Sequence, residues 1–243
     1  MTIPKAILFD LDDTIVSFYS ATIKAWEFCC EEFVTKEVVD FDSSTLLQKI
    51  DDTKTWYWSD AERHKAGRDN MKMARRQVVQ GAFETLDYYD VESMHKLADS
   101  YNDLQDELLC LFEGAYEALN TLKDLNMRMA IITNGNSLQQ RGKLERFKLN
   151  HFFEMVLVDT EVGFSKPDKR IFELALQKLS LQADEVWMVG DNLVWDIQGA
   201  GQLGIYSVWN DFKQEGLPEN SSIVPNKIIY SISELAEEIK NSI

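Results

Sequence analysis

The sequence predicts an α/β protein, with a parallel sheet covered by helices on both faces and a block of helices inserted after the first strand. Three observations predict it. Short apolar runs recur between helical patterns from Ala115 onward, and one run of the same kind, Lys5–Phe9, stands alone near the start. The residues between them show helical periodicity only.

Taken in order, Lys5 to Phe9 is a short apolar strand, and no such strand recurs from about Ser17 to Phe112. There, Ile23, Trp26, Cys30, Phe33 and Val34 mark one helical face. Met94, Leu97, Ala98, Tyr101, Leu104, Leu108 and Leu111 mark another at the same spacing. Beyond Ala115, a helix carrying Ala118, Leu119, Leu122 and Leu125 leads to a strand over Arg128–Ile132. A helix around Leu138–Phe147 precedes strand Met155–Val158, and helix Asp168–Leu179 precedes strand Val186–Val189. Helix Leu193–Leu203 leads to strand Ile205–Val208. Gly216 to Pro225 reads as a loop, and Ser233–Lys240 as a closing helix. Buried strands alternating with helices form a doubly wound, Rossmann-like parallel sheet. The expected domains are a core of residues 1–16 and 113–243 and a helical domain of residues 17–112.

Composition narrows the partners. Among 243 residues, acid outnumbers base 41 to 25, for a net charge of −16. Such a surface repels nucleic acid and anionic membranes. An anionic substrate must then be held locally, by a metal ion or by a few placed lysines and arginines. Cys29, Cys30 and Cys110 form no metal-ligand pattern, and an odd count points to reduced thiols in a cytoplasmic protein. Cys29 and Cys30 sit in a helical pattern and read as packing residues. No basic segment precedes an apolar stretch at the N-terminus, and no apolar run is long enough to span a membrane. No feature of the sequence specifies an oligomeric state.

In an open parallel sheet, ligands bind beyond the carboxyl ends of the strands. The first strand is followed by Asp10-Leu11-Asp12-Asp13-Thr14, three carboxylates in four positions, and the second by Thr133-Asn134-Gly135. Ser165-Lys166-Pro167-Asp168 lies beyond the third. The fourth is followed by Gly190-Asp191-Asn192 and then Asp196. Taken singly, Asp10 reads as a turn or N-cap aspartate, Thr-Asn-Gly as a common turn and Lys166 as a surface lysine.

Together, the four motifs resemble those of the haloacid dehalogenase superfamily in its phosphatase branch. The resemblance runs from Asp10 to Asp196, and the stretch FFEMVLVDTEVGFSKPDKRIFELAL is also similar to that branch. The helical insertion resembles the family's helical cap. Within the branch, TNGNSLQQRGKLE, WMVGDNLVWDIQGA and IIYSISEL resemble segments of N-acylneuraminate-9-phosphatases, with nucleoside 5′-monophosphatases next.

The resemblance implies Mg2+-dependent hydrolysis of a small-molecule phosphomonoester through an aspartyl-phosphate. A sugar acid phosphate and a nucleotide are the candidate substrates. Asp10 would be the nucleophile, since a carboxylate is ionised at neutral pH and needs no base to activate it. Asp12 would protonate the leaving alcohol and later take a proton from water. It could instead only coordinate metal, and the resemblance favours proton work with metal contact through its backbone carbonyl. Asp13 is left unassigned, and Thr14 is expected to fix the turn through its hydroxyl. Thr133 and the Asn134 N–H would hold phosphoryl oxygens. Lys166 would neutralise the phosphate and orient Asp10, with Pro167 in the first turn of the following helix. Asp10 and Asp191 would bind the metal by side chain, while Asp196 either completes the outer shell or pairs with Lys166. That oxygen-rich set suits magnesium, and His64, His95 and His151 lie apart from the motifs.

Arg63, His64, Lys65, Arg68, Lys72, Arg75 and Arg76 form a basic stretch opposed only by Asp69. It is either a solvated face or a site where one or two residues recognise a second anionic group on the substrate. Trp56, Tyr57, Trp58, Phe18 and Tyr19 are either helical core or stacking partners for a base. Three other functions share the motifs in part. A phosphomutase returns the phosphoryl group instead of releasing it, and a 2-haloacid dehalogenase leaves Asp12, Asp191 and Asp196 without purpose. A non-catalytic phosphate-binding protein predicts a damaged motif, and none is damaged.

Overall fold

The computed structural model describes residues 3–60, 62–63, 66–67 and 70–242. The chain divides into two compact units, residues 1–17 with 111–243, and residues 18–110.

The first unit is built on a six-stranded, wholly parallel sheet. Its strands are β1 (Ala6–Phe9), β4 (Arg128–Thr133), β5 (Met155–Val158), β6 (Val186–Gly190), β7 (Tyr206–Asn210) and β8 (Lys227–Ile229), in spatial order β5-β4-β1-β6-β7-β8. The labels β2 and β3 belong to the short segments Val16–Ser17 and Cys110–Leu111, which pair as a separate two-stranded ribbon. β1 is the central strand by necessity. All four of its residues are fully buried, as a strand covered on both faces requires. It pairs Phe9 with Ile131 on one side and with Val189 on the other. Burial of Ile7, Leu8 and Phe9 contributes about 1.5–3 kcal/mol each. β8 was not expected, because its three residues, Lys-Ile-Ile, are too short to show alternation.

The helices alternate with these strands. In chain order the longer ones are α5 (Ala115–Asp124), α6 (Ser137–Arg146), α7 (Lys169–Leu179) and α8 (Ile232–Lys240), with a short helical turn at Asp159–Val162 before α7, the labels α1 to α4 belonging to the other unit. Ile171, Phe172, Ala175 and Leu179 of α7 pack with Leu8, Ala130, Ile132 and Met188 on one sheet face. The expected Leu193–Leu203 helix is instead a π-helical turn, Leu193–Gln198, followed by one short turn, Gly199–Gly201.

The second unit contains α1 (Phe18–Lys36), α2 (Ser43–Ser59), α3 (Met71–Glu84) and α4 (Val91–Leu108). Asp42, Asn70 and Asp90 cap three of them by accepting backbone N–H bonds. The apolar faces form one core, with Trp26 stacked on Tyr101 at 3.6 Å and Phe83 against Phe33 at 4.8 Å. Cys29 and Cys30 are buried there as expected, and burial pushes their thiols up to about 11 and about 12. Ile23 and Leu108 instead lie exposed, and Leu111 falls in β3. Tyr57 is core, whereas Trp56 is exposed beneath the Arg63 guanidinium at 3.9 Å. No helix among the described residues is long and apolar enough to cross a membrane.

The described part of the basic stretch finds its partners inside this unit. Arg63 donates to the Trp56 and Tyr57 carbonyls, Arg75 to Asn102 and Gln105, and Arg76 and Lys72 both meet Asp99. His64, Lys65 and Arg68 lie outside the described residues.

Candidate active site

Because every strand of the sheet is parallel, β4, β1 and β6 all deliver their carboxyl ends to one edge. Neighbouring strands lie about 4.8 Å apart, so residues leaving adjacent strand ends become neighbours. Asp10 and Asp191 meet in this way, and Thr133 ends the neighbouring strand β4. Asp10 continues the β1 pairing by donating its N–H to the Val189 carbonyl at 2.9 Å. The next residues turn sharply, with Asp13 left-handed at φ 58°. Backbone bonds hold that turn, from Asp13 N–H to Val16 and from Ile15 and Val16 N–H to Leu11. The Thr14 hydroxyl was expected to do so but is buried with no hydrogen-bond partner among the described residues.

Lys166 is the hub of the edge. It is 2% exposed, and its ammonium lies 2.7 Å from Asp10 Oδ1 and 2.6 Å from Asp196 Oδ1. Burial by itself would lower its pKa, but the two carboxylates together outweigh burial and raise it. Its backbone is gripped as well, since the Asn134 side chain donates to the Lys166 carbonyl and accepts from its N–H, both at 2.9 Å. Asn134, expected to act through its N–H, thus also fastens the lysine's loop to the end of β4. α7 begins at Lys169 under an Asp168 N-cap, so Pro167 precedes the cap and does not occupy the first turn.

Asp196 is fully buried, and its Oδ2 accepts the Asn192 N–H at 3.0 Å. Its place depends on Gly190, where a Cβ would stand 2.3 Å from Asp196 Oδ2. Of the two roles open to Asp196, the pairing with Lys166 is therefore present. Asp191 is held through its backbone, the Trp209 indole donating to its carbonyl at 2.6 Å.

Asp10, Asp191 and Asp196 each offer an oxygen within 4.8 Å of the others. Burial, as the largest cause, raises the Asp10 pKa, opposed by Lys166 and reinforced by Asp196. Burial likewise raises Asp191, reinforced by Asp10 and Asp196. Two buried carboxylates and a half-buried third, with one ammonium bonded to two of them, form an oxygen-rich, acid-dominated cluster, which suits a hard divalent cation.

Asp12 stands apart from that trio. Lys143 donates to its Oδ1 and Oδ2 at 2.7 Å each, and Gln140 donates to Oδ2 at 3.0 Å. Neither Gln140 nor Lys143 was expected at the site, because an amphipathic surface helix explains both residue types equally well. Thr133 is buried, and the loop after it is pinned by Gly135 N–H to Asp159 Oδ1 at 2.8 Å. The following Asn136 caps α6 by accepting from Leu138 and Gln139.

A family model described as haloacid dehalogenase-like hydrolase matches residues 7–210. The chain is 30% identical over 233 residues to a pyrimidine 5′-nucleotidase, YjjG, of Escherichia coli (strain K12), across 95% of this chain and 96% of that protein. It is 31% identical over 209 residues to a glyceraldehyde 3-phosphate phosphatase of Pyrococcus abyssi (strain GE5 / Orsay), across 84% and 80% respectively. Among solved structures, the HAD-hydrolase YfnB from Bacillus subtilis, bound to magnesium, has a TM-score of 0.66 at 25% identity, over 98% of this chain and 99% of that one.

Proposed function

The chain belongs to the haloacid dehalogenase-like hydrolase family, and on that premise we propose that it hydrolyses a small-molecule phosphomonoester through an aspartyl-phosphate on Asp10. The observation that carries this reading is the clustering of Asp10, Asp191 and Asp196, with Lys166 bonded to the two buried members, Asp10 and Asp196. Asp10 and Asp191 would hold Mg2+ by their side chains, with Asp12 adding its backbone carbonyl and Asp196 standing in the outer shell. When bound, the ion supplies positive charge against the phosphoryl oxygens.

In this scheme an Asp10 carboxylate oxygen attacks phosphorus while the bond to the leaving oxygen breaks. Asp12 gives that oxygen a proton. A water then attacks the phosphorus of the aspartyl-phosphate, passes its proton to Asp12, and frees Asp10 and inorganic phosphate. Thr133 and the Asn134 N–H hold the phosphoryl oxygens. The Lys166 ammonium offsets their charge and keeps Asp10 aimed.

For substrate we favour a sugar acid phosphate or a nucleotide, and relatives named for a nucleotide and for a triose phosphate support a small ester. Residues 18–110 take the part of the family's cap in this reading, the segment that selects among esters.

The test is release of phosphate from 4-nitrophenyl phosphate with and without Mg2+, beside Asp10→Asn. Activity should require the ion and fall at least about 10³-fold in the variant. Turnover that survives Asp10→Asn, or persists fully in excess chelator, would sink the mechanism. Transfer to a second sugar hydroxyl without free phosphate would mark a mutase.

A further inference from the structure

Two polar side chains behind the Thr133 loop have no part in the scheme above, yet both are buried. Gln140 is 2% exposed and Lys143 is 9% exposed. They stand three residues apart on α6, one above the other on the same face. Burying an ammonium and an amide is costly unless their bonds are satisfied. Here they are satisfied by one another and by two groups of the proposed chemistry.

The Gln140 amide nitrogen donates to Thr133 Oγ1 at 2.6 Å and to Asp12 Oδ2 at 3.0 Å. Its carbonyl oxygen accepts from Lys143 at 2.8 Å. Lysine is a donor only, so the amide has one sensible orientation, with its nitrogen toward Thr133 and Asp12. Lys143 in turn donates to both Asp12 oxygens. Room for Gln140 comes from Gly135, at φ +148°, where a Cβ would lie only 3.1 Å from the Gln140 amide carbon.

We propose that Gln140 and Lys143 are positioning residues that set the Thr133 hydroxyl and the Asp12 carboxylate together for phosphoryl transfer; this rests on the phosphatase reading above. A hydroxyl that accepts from Gln140 keeps its own proton for another acceptor, and the phosphoryl oxygen is that acceptor. Asp12 Oδ2 receives two donors and Oδ1 one. Oδ2 is therefore the anchored oxygen, and Oδ1 is the one that exchanges a proton with the leaving group. One amide thus couples the grip on the phosphoryl group to the placement of the acid.

This arrangement predicts a dependence on the leaving group. A phenolate made acidic by a nitro group departs with little help, whereas unsubstituted phenolate needs its proton. Steady-state kinetics with 4-nitrophenyl phosphate and phenyl phosphate would be compared for wild type, Gln140→Met and Lys143→Met. The expected result is a fall in kcat of about 10- to 100-fold on phenyl phosphate, a several-fold smaller fall on the nitrophenyl ester, and a KM within about threefold of wild type. Thermal melting checks folding. If either variant does not fold, Gln140→Glu sets an acceptor against Asp12 and Thr133 and is expected to give the same pattern. Equal losses on both esters, or unchanged kcat, overturn the proposal while leaving the phosphatase reading intact. A wild type that hydrolyses neither ester overturns the reading and the proposal with it.

Discussion

In the core unit Lys166 lies buried between Asp10 at 2.7 Å and Asp196 at 2.6 Å, whereas in the helical unit Arg76 and Lys72 share Asp99 at a partly exposed surface, 2.6 and 3.0 Å away. The two clusters look alike as lists of contacts and differ in solvent. Water screens the Arg76–Asp99–Lys72 group and solvates any member left alone, so the group adds little to stability. No such relief reaches Lys166. Each member of its cluster depends on the others, and such an arrangement is weak evidence for stability. Its presence at the exit of adjacent strands points to chemistry. Distance alone does not distinguish a buried cluster from a solvated one, and solvent exposure does.

The sharpest way to break this contrast is Lys166→Met. It leaves Asp10 and Asp196 facing each other without a cation, and the unfolding free energy of the metal-free protein at pH 8 should fall by about 3 kcal/mol or more. Urea denaturation measures it, and a loss under about 1 kcal/mol would place the core cluster with the surface one.

A second test uses pH. Burial holds Asp10 and Asp191 above the ordinary carboxylate range, so the folded metal-free protein keeps protons that the unfolded chain releases. Stability from this source is complete below the unfolded value near pH 4 and is lost as pH rises through the raised folded values. Melting temperature in excess chelator should therefore fall from pH 6 to pH 9. Added Mg2+ should restore it most at the alkaline end, where both carboxylates are ionised and free to bind. A flat profile, or a larger gain at pH 6, would remove the electrostatic conflict on which the metal reading leans.

The smallest effect belongs to the helical unit. Arg76→Ala should cost no more than about 1 kcal/mol and lose its effect at high salt. A larger, salt-insensitive loss would show that Asp99 is effectively buried.

The sequence made much of the site legible, and the reason is local. Strand ends are visible because apolar runs stop abruptly at charged or turn-forming residues, as Phe9 gives way to Asp10 and Val189-Gly190 to Asp191. A parallel sheet then brings those ends together whatever their separation along the chain. β8 and the π-helical turn at Leu193–Gln198 were not legible, because three residues carry no period and a π turn differs from an α turn by one residue in its bonding. Thr14 misled because a hydroxyl in a turn ordinarily bonds the backbone, and here backbone bonds and the Asn210 amide, which donates to the Asp13 carbonyl, hold the turn instead.

By itself, then, the sequence determined the layered α/β core, the helical insertion, the strand ends where Asp10, Thr133 and Asp191 emerge, and the loop further on from the third strand that carries Lys166. Periodicity and turn chemistry act over a few residues, and those features need nothing more. Only the tertiary structure decided which groups meet: Lys143 with Asp12 across 131 residues, Gln140 with both Asp12 and Thr133, and Asp196 with Lys166. Such pairings follow from strand order and from which helix face turns inward. Hydrogen bonding and charge act through a few ångströms of space, without regard to distance along the chain.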